Sequence, residues 1–178
     1  FPTDERAQSK LFWNDERLTA GDNPIAFGRN NSGIGVGGST LHYTAYTPRL
    51  QPDDLRIRTE FGVGEDWPLA FADIEPYYDE LEGFLGVSGP SPYPWGPPRK
   101  RAHPLKPLPL NGAAQLMERG CRSLGMRTSP AANAALSAAY APMAHQRACT
   151  NRGFCQAGCT TGATASMDVT FVPLALAR

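Results

Sequence analysis

The chain has 178 residues, enough to bury a core, and 17 basic residues balance 17 acidic ones to a formal net charge of +0. That balance gives no global attraction to nucleic acid or to an anionic lipid surface, and no run approaches the roughly 18 apolar residues of a membrane span. With 41% hydrophobic residues against 18 glycines and 17 prolines, the composition predicts a folded but loop-rich chain.

The first residues, Phe1-Pro2-Thr3-Asp4-Glu5-Arg6, carry neither an initiator methionine nor the charged and apolar regions of a signal peptide. They read as a cut end and leave the compartment undetermined. Phe1 to Asn31 has little periodic patterning, and Gly21-Asp22-Asn23-Pro24 is a turn signal, so an irregular approach is expected. Gly33-Ile34-Gly35-Val36-Gly37-Gly38 has the G-x-G-x-x-G spacing of a dinucleotide fingerprint. That fingerprint counts only between a strand and a helix, and Phe27-Gly28-Arg29-Asn30-Asn31-Ser32 is no hydrophobic strand. Two readings stay open for the glycines: a tight turn, or a loop whose bare backbone lets a flat or anionic ligand come close, with Ser39 and Thr40 adding hydroxyls. The residues that follow, Leu41 to Tyr46, suit either a strand or a buried helix start.

Asp73 is placed to cap a helix with Pro76 in its first turn and Gly86 as its stop; Ile74, Tyr78, Leu81 and Leu85 then share a face that should be buried. Dense proline from Gly89 to Leu110, around Arg99-Lys100-Arg101, predicts an extended surface connection. A second helix is expected from Asn111 to Leu124, capped by Asn111, stopped by Gly125, and packing through Leu116, Gly120 and Leu124. Ala131 to Ala141 is alanine-rich, but the flanking prolines favour a short or irregular segment. Cys149, Cys155 and Cys159 are spaced C-x5-C-x3-C, unlike the C-x2-C pairs of a zinc ribbon or a ferredoxin run. An iron-sulfur cluster, free buried thiols and a disulfide all remain open for them. Ser166 is a candidate cap for a last helix interrupted at Pro173.

In combination these pieces point to a family. Gly35-Val36-Gly37-Gly38-Ser39-Thr40-Leu41-His42-Tyr43 resembles the flavin-contacting loop of the glucose-methanol-choline (GMC) oxidoreductases. Asp66-Trp67-Pro68, Glu75-Pro76-Tyr77-Tyr78 and Gly86-Val87-Ser88-Gly89 follow in that family's order. The cysteine stretch, with Ser166 to Pro173 after it, is similar to the branch of gluconate, fructose and bacterial glucose dehydrogenase flavoprotein subunits. Ser39-Thr40-Leu41-His42 departs from the small residues and Asn or His usual after the glycine pair, and Ile34 stands where a basic residue or Asn is common.

The resemblance implies a loop-rich α+β chain, an internal portion of a two-domain, FAD-dependent GMC enzyme. Residues 1–89 would belong to the FAD-binding domain, 90–110 would be the proline-rich connection, and 111–178 would lead toward the substrate domain. Gly35, Val36, Gly37, Gly38, Ser39, Thr40 and His42 would lie along FAD, His42 with or without a covalent link to the ring. Cys149, Cys155 and Cys159 would be the candidate ligands of an iron-sulfur cluster. The family activity is oxidation of an alcohol or sugar hydroxyl, with hydride passing to flavin and electrons to an acceptor protein or subunit. The catalytic histidine is expected outside this chain, since His103 and His145 read as solvated or locally bonded. Two alternatives are an oxygen-using oxidase with structural cysteines, and a non-catalytic iron-sulfur or metal-binding module.

Overall fold

Prolines and glycines interrupt this chain too often for long hydrogen-bond ladders to propagate, and its elements are correspondingly short. The computed structural model describes Gly33 and residues 35–178. The readings placed on Phe1 to Asn31, its Gly21-to-Pro24 turn, Phe27 to Ser32 and Ile34 lie outside the described residues. A 3-10 helix, Gly38–His42, is followed by another, Pro52–Arg56, that runs into α1, Ile57–Phe61. Then come α2, Phe71–Leu85, and α3, Gly112–Ser123, two 3-10 turns at Ala141–Met143 and Cys155–Ala157, and α4, Phe171–Leu176. Strand pairing among the described residues consists of isolated bridges. The α+β expectation thus holds for helices and loops, while the sheet is reduced to single rungs. Pro48, Pro90, Pro104 and Pro130 border the paired segments and cannot donate to a ladder.

The core is built on the alanine-rich stretch. Asn133 exchanges backbone hydrogen bonds with Ser88 at 2.8 and 2.9 Å, and Ala134 N–H donates to the Ala45 carbonyl at 2.7 Å. Ala165 N–H donates to the Ala134 carbonyl at 2.7 Å, and Leu136 N–H to Ala163 at 3.1 Å. Ala45, Val87, Ala132, Ala134, Ala135 and Ala165 form the buried cluster, with Tyr43, Leu85 and Leu108 packed on it. Five of these six buried residues are alanines. What composition marked as a short irregular segment is the strip that the rest of the chain pairs with.

Helix α2 departs from expectation in three ways. Its N-cap is Ala70, and Asp73 lies inside the first turn, where its carboxylate accepts from the Ala70 N–H at 2.8 Å. Pro76 falls in the second turn. The apolar stripe is only half-buried, with Leu81 exposed, whereas Glu75 and Glu82 are buried. These carboxylates turn inward because cations meet them. Arg49 donates from Nε and Nη2 to Glu82 at 2.9 and 2.7 Å, and from Nη2 to Asp79 at 2.5 Å. Arg99 pairs with Glu82 as well, and Lys100 with Glu75 at 2.6 Å.

Those contacts also correct the reading of the proline-rich connection. Far from lying free on the surface, it is clamped to α2 through Arg99 and Lys100 and bridged at Leu105 to Ser88, and His103 is buried. Asn111 caps α3 as expected, accepting from Ala114 N–H at 2.9 Å, and Gly125 turns the chain at φ +71°. The predicted packing face of α3 is uncovered: Leu116, Gly120 and Leu124 are all exposed. The last helix begins after Thr170, and Ser166 lies in the preceding turn, where its carbonyl accepts from the Thr170 hydroxyl at 2.8 Å.

Candidate functional site

The glycine loop first satisfies itself. A Cβ on Gly33 would stand 2.7 Å from the Gly38 carbonyl oxygen, so the chain crosses its own backbone there. Gly38 N–H donates to the Gly35 carbonyl at 3.0 Å and Thr40 N–H to Gly37 at 3.3 Å. The hydroxyls read as ligand groups hold the loop: Ser39 Oγ accepts from Gly33 N–H at 3.0 Å, while Thr40 Oγ1 donates to the Gly37 carbonyl at 2.5 Å and accepts from Met167 N–H at 3.0 Å. The tight-turn reading is therefore part of the answer.

One side of the loop stays open. At Gly38, with φ +55°, an added Cβ would meet nothing within 4 Å, and Gly35 and Val36 are exposed. On the other side, a Cβ on Gly37 would come within 3.2 Å of the Asp168 backbone nitrogen. Asp168 Oδ1 is buried without a hydrogen-bond partner among the described residues, a ready acceptor beside the loop. His42 closes the Gly38–His42 helix and is half-buried.

The cysteine segment folds against this loop. The Gly38–His42 helix packs on the Cys155–Ala157 turn, and Tyr43 Oη donates to the Ala165 carbonyl at 3.0 Å. Burial, and then the charge of Cys159, pushes the Tyr43 hydroxyl up to about 12. Two motifs more than a hundred residues apart in sequence thus form one region. Nothing in either motif's spacing announces Tyr43, Met167 or Asp168 as the residues that join them.

Cys149, Cys155 and Cys159 line one pocket of about 300 Å³ together with Asn111, Asn133 and Thr164. Burial pushes the Cys155 thiol up, helped by the neighbouring Cys159 and Cys149. Burial also raises Cys159, but hydrogen bonds from Thr161, Thr164 and Ala163 outweigh it and bring that thiol down to about 7. Local partners occupy the sulfurs: Cys159 Sγ accepts from Ala163 N–H at 3.3 Å, and Cys149 Sγ from Asn151 N–H at 3.4 Å. Among the described residues no three His, Cys, Asp or Glu side chains gather closely enough to hold a metal ion. Cys121 stands in α3, apart from the pocket lining. Both histidines outside the loop are locally bonded. His103 Nδ1 lies 2.8 Å from the Pro90 carbonyl, and His145 Nε2 is bonded to the Val169 carbonyl.

No family model matches the chain. It is 32% identical over 108 residues to the fructose dehydrogenase large subunit of Gluconobacter japonicus, over 60% of this chain and 20% of that protein. It is 43% identical over 77 residues to 2-methyl-1,2-propanediol dehydrogenase of Mycolicibacterium austroafricanum, over 40% of this chain and 14% of that protein. It is 24% identical over 172 residues to the gluconate 2-dehydrogenase flavoprotein of Pantoea cypripedii, over 79% of this chain and 28% of that protein. These relatives are oxidoreductases. Their names are those of GMC-type flavoproteins, which this chain resembles, and the chain spans well under a third of the length of each relative.

Proposed function

We propose that this chain is the flavin-cradling part of an FAD-dependent dehydrogenase that oxidises an alcohol or sugar hydroxyl and passes the electrons to an acceptor protein or subunit. The open face of Gly38, in a loop of a chain related to sugar and alcohol dehydrogenases, carries this reading. Bound FAD would supply the hydride acceptor for the oxidation. Residues Gly35, Val36, Gly37 and Gly38 would present bare backbone to it, Ser39 and Thr40 would fix the loop's shape, and His42 would flank it. Asp168 Oδ1 would accept a ligand hydroxyl or N–H. Residues 1–89 would then be the flavin-domain part, 90–110 the connection and 111–178 the approach to the substrate domain.

The two inner glycines provide the test. The Cβ of Gly38→Val meets no atom of the described residues within 4 Å but strains a left-handed backbone at φ +55°, so a folded full-length variant, destabilised through the backbone alone and lacking FAD or turnover, is the expected outcome. Gly37→Ala, crowded by Asp168 and Leu41 besides, should lower stability further. A Gly38→Val protein with normal flavin content and rate would refute the assignment.

For the cysteine triplet we propose that any cofactor it holds would be an iron-sulfur cluster rather than zinc, with Cys149, Cys155 and Cys159 as its ligands. The shared pocket and the thiolate character of Cys159 support this, while the closed ligand group is the missing element. Anaerobically purified full-length protein should contain iron and acid-labile sulfide, both lost in Cys155→Ser. Iron-free protein would leave three structural thiols.

A further inference from the structure

Among the buried polar atoms that lack hydrogen-bond partners within the described residues are three that lie close together, Thr47 Oγ1, Arg49 Nη1 and His103 Nε2. Their residues line the same small cavity, of about 10 Å³, closed by Tyr93, Pro97 and Arg99. Buried polar groups are seldom left unsatisfied, and a cavity of roughly 10–15 Å³ with two to four polar partners is what one water needs.

The chemistry of the three atoms selects the occupant. His103 Nδ1 faces the Pro90 carbonyl, which can only accept, so Nδ1 carries the proton. In the neutral ring Nε2 then offers a lone pair. Arg49 has committed Nε and Nη2 to Glu82 and Asp79, which leaves Nη1–H as a donor. Thr47 can donate or accept. We propose that a single buried water molecule occupies this cavity, accepting from Arg49 Nη1–H, donating to His103 Nε2 and exchanging a hydrogen bond with Thr47 Oγ1.

A halide ion fits less well. Asp79 and Glu82 already balance Arg49 and Arg99, and an anion would face the lone pair of His103. Burial, with Arg99 and Arg49 acting against the Pro90 carbonyl and Glu82, holds His103 below its ordinary value and keeps the ring neutral. The ring is also fixed in place, since a Cβ on Gly89 would lie 2.7 Å from its atoms. The water would therefore tie the proline-rich connection to the segment carrying Thr47 and Arg49.

Crystals of the full-length protein soaked in sodium bromide, measured at the bromine edge and to high resolution, should reveal a water-sized peak within hydrogen-bond distance of the three atoms and no anomalous signal. An anomalous peak there would replace water by a halide. An empty cavity, or a protein atom bonded to His103 Nε2, would overturn the site. In solution, long-range proton–nitrogen correlation should find His103 as the Nδ1–H tautomer. The Nε2–H tautomer would overturn it as well.

Discussion

Glu82→Leu is expected to destabilise the full-length protein by about 3–5 kcal/mol, the usual result of removing one partner from a buried ion pair. Glu82 accepts from both Arg49 and Arg99, and the side chains of Arg49 and Glu82 are 3% and 9% exposed. Removing the carboxylate leaves Arg99 with only the Arg101 carbonyl and Arg49 with Asp79 alone. The pH dependence is a second readout. Burial raises the Glu82 carboxyl, but hydrogen bonds from Arg49 and Arg99 outweigh it and hold it below its ordinary value. A depressed folded-state value contributes stability above the unfolded value, near 4.3, and that contribution is lost as pH falls through the folded value. The gap between wild type and Glu82→Leu in urea unfolding should be full at neutral pH and narrow below about pH 4. A gap under about 1 kcal/mol at pH 7 would mean that the pair is screened like a surface one.

Gly86→Ala should cost about 2–5 kcal/mol, from a left-handed backbone and an overpacked contact together. Gly86 ends α2 at φ +67°, and an added Cβ would stand 2.6 Å from Leu136 Cδ2 and 2.7 Å from Tyr140 Cδ1. Neither neighbour can yield. Leu136 is fully buried, and Tyr140 Oη donates to the Gly83 carbonyl at 2.5 Å. Gly125→Ala is the control: its φ of +71° is similar, but no atom of the described residues lies within 4 Å of the added carbon. It should lose about 1–2 kcal/mol for the backbone alone. Equal losses at the two positions would assign the whole effect to φ.

What could be read from the sequence was local. Asn111 and Gly125 bracket α3 because capping chemistry acts over a few residues, and Gly86 stops α2 for the same reason. The resemblance of Gly35 to Tyr43 pointed to the same kind of flavoprotein that the relatives' names carry, because such a motif is contiguous. Long-range pairing was not legible. The burial of Glu75 and Glu82 depends on Arg49, Arg99 and Lys100, which lie on other segments, so an amphipathic count on α2 alone misses the two carboxylates that share its half-buried face. The central role of Ala132 to Ala135 was hidden for a related reason: alanine carries little periodic signal, and the partners that bury it lie on distant segments. Asp168 likewise reaches the glycine loop only through the fold.

The joining of the glycine loop to the segment around Met167 has a consequence for how the chain assembles. Thr40 meets Met167 across 127 residues and Tyr43 meets Ala165 across 122, and Ala165 is also part of the core cluster. Contacts of such separation carry a large closure entropy and slow folding relative to local ones. During synthesis, the surfaces of Ala45 and Ala134 that Ala165 covers stay open until residues 163–168 have left the ribosome. A nascent chain stalled before that point would be a natural target for chaperones, however complete its helices already are.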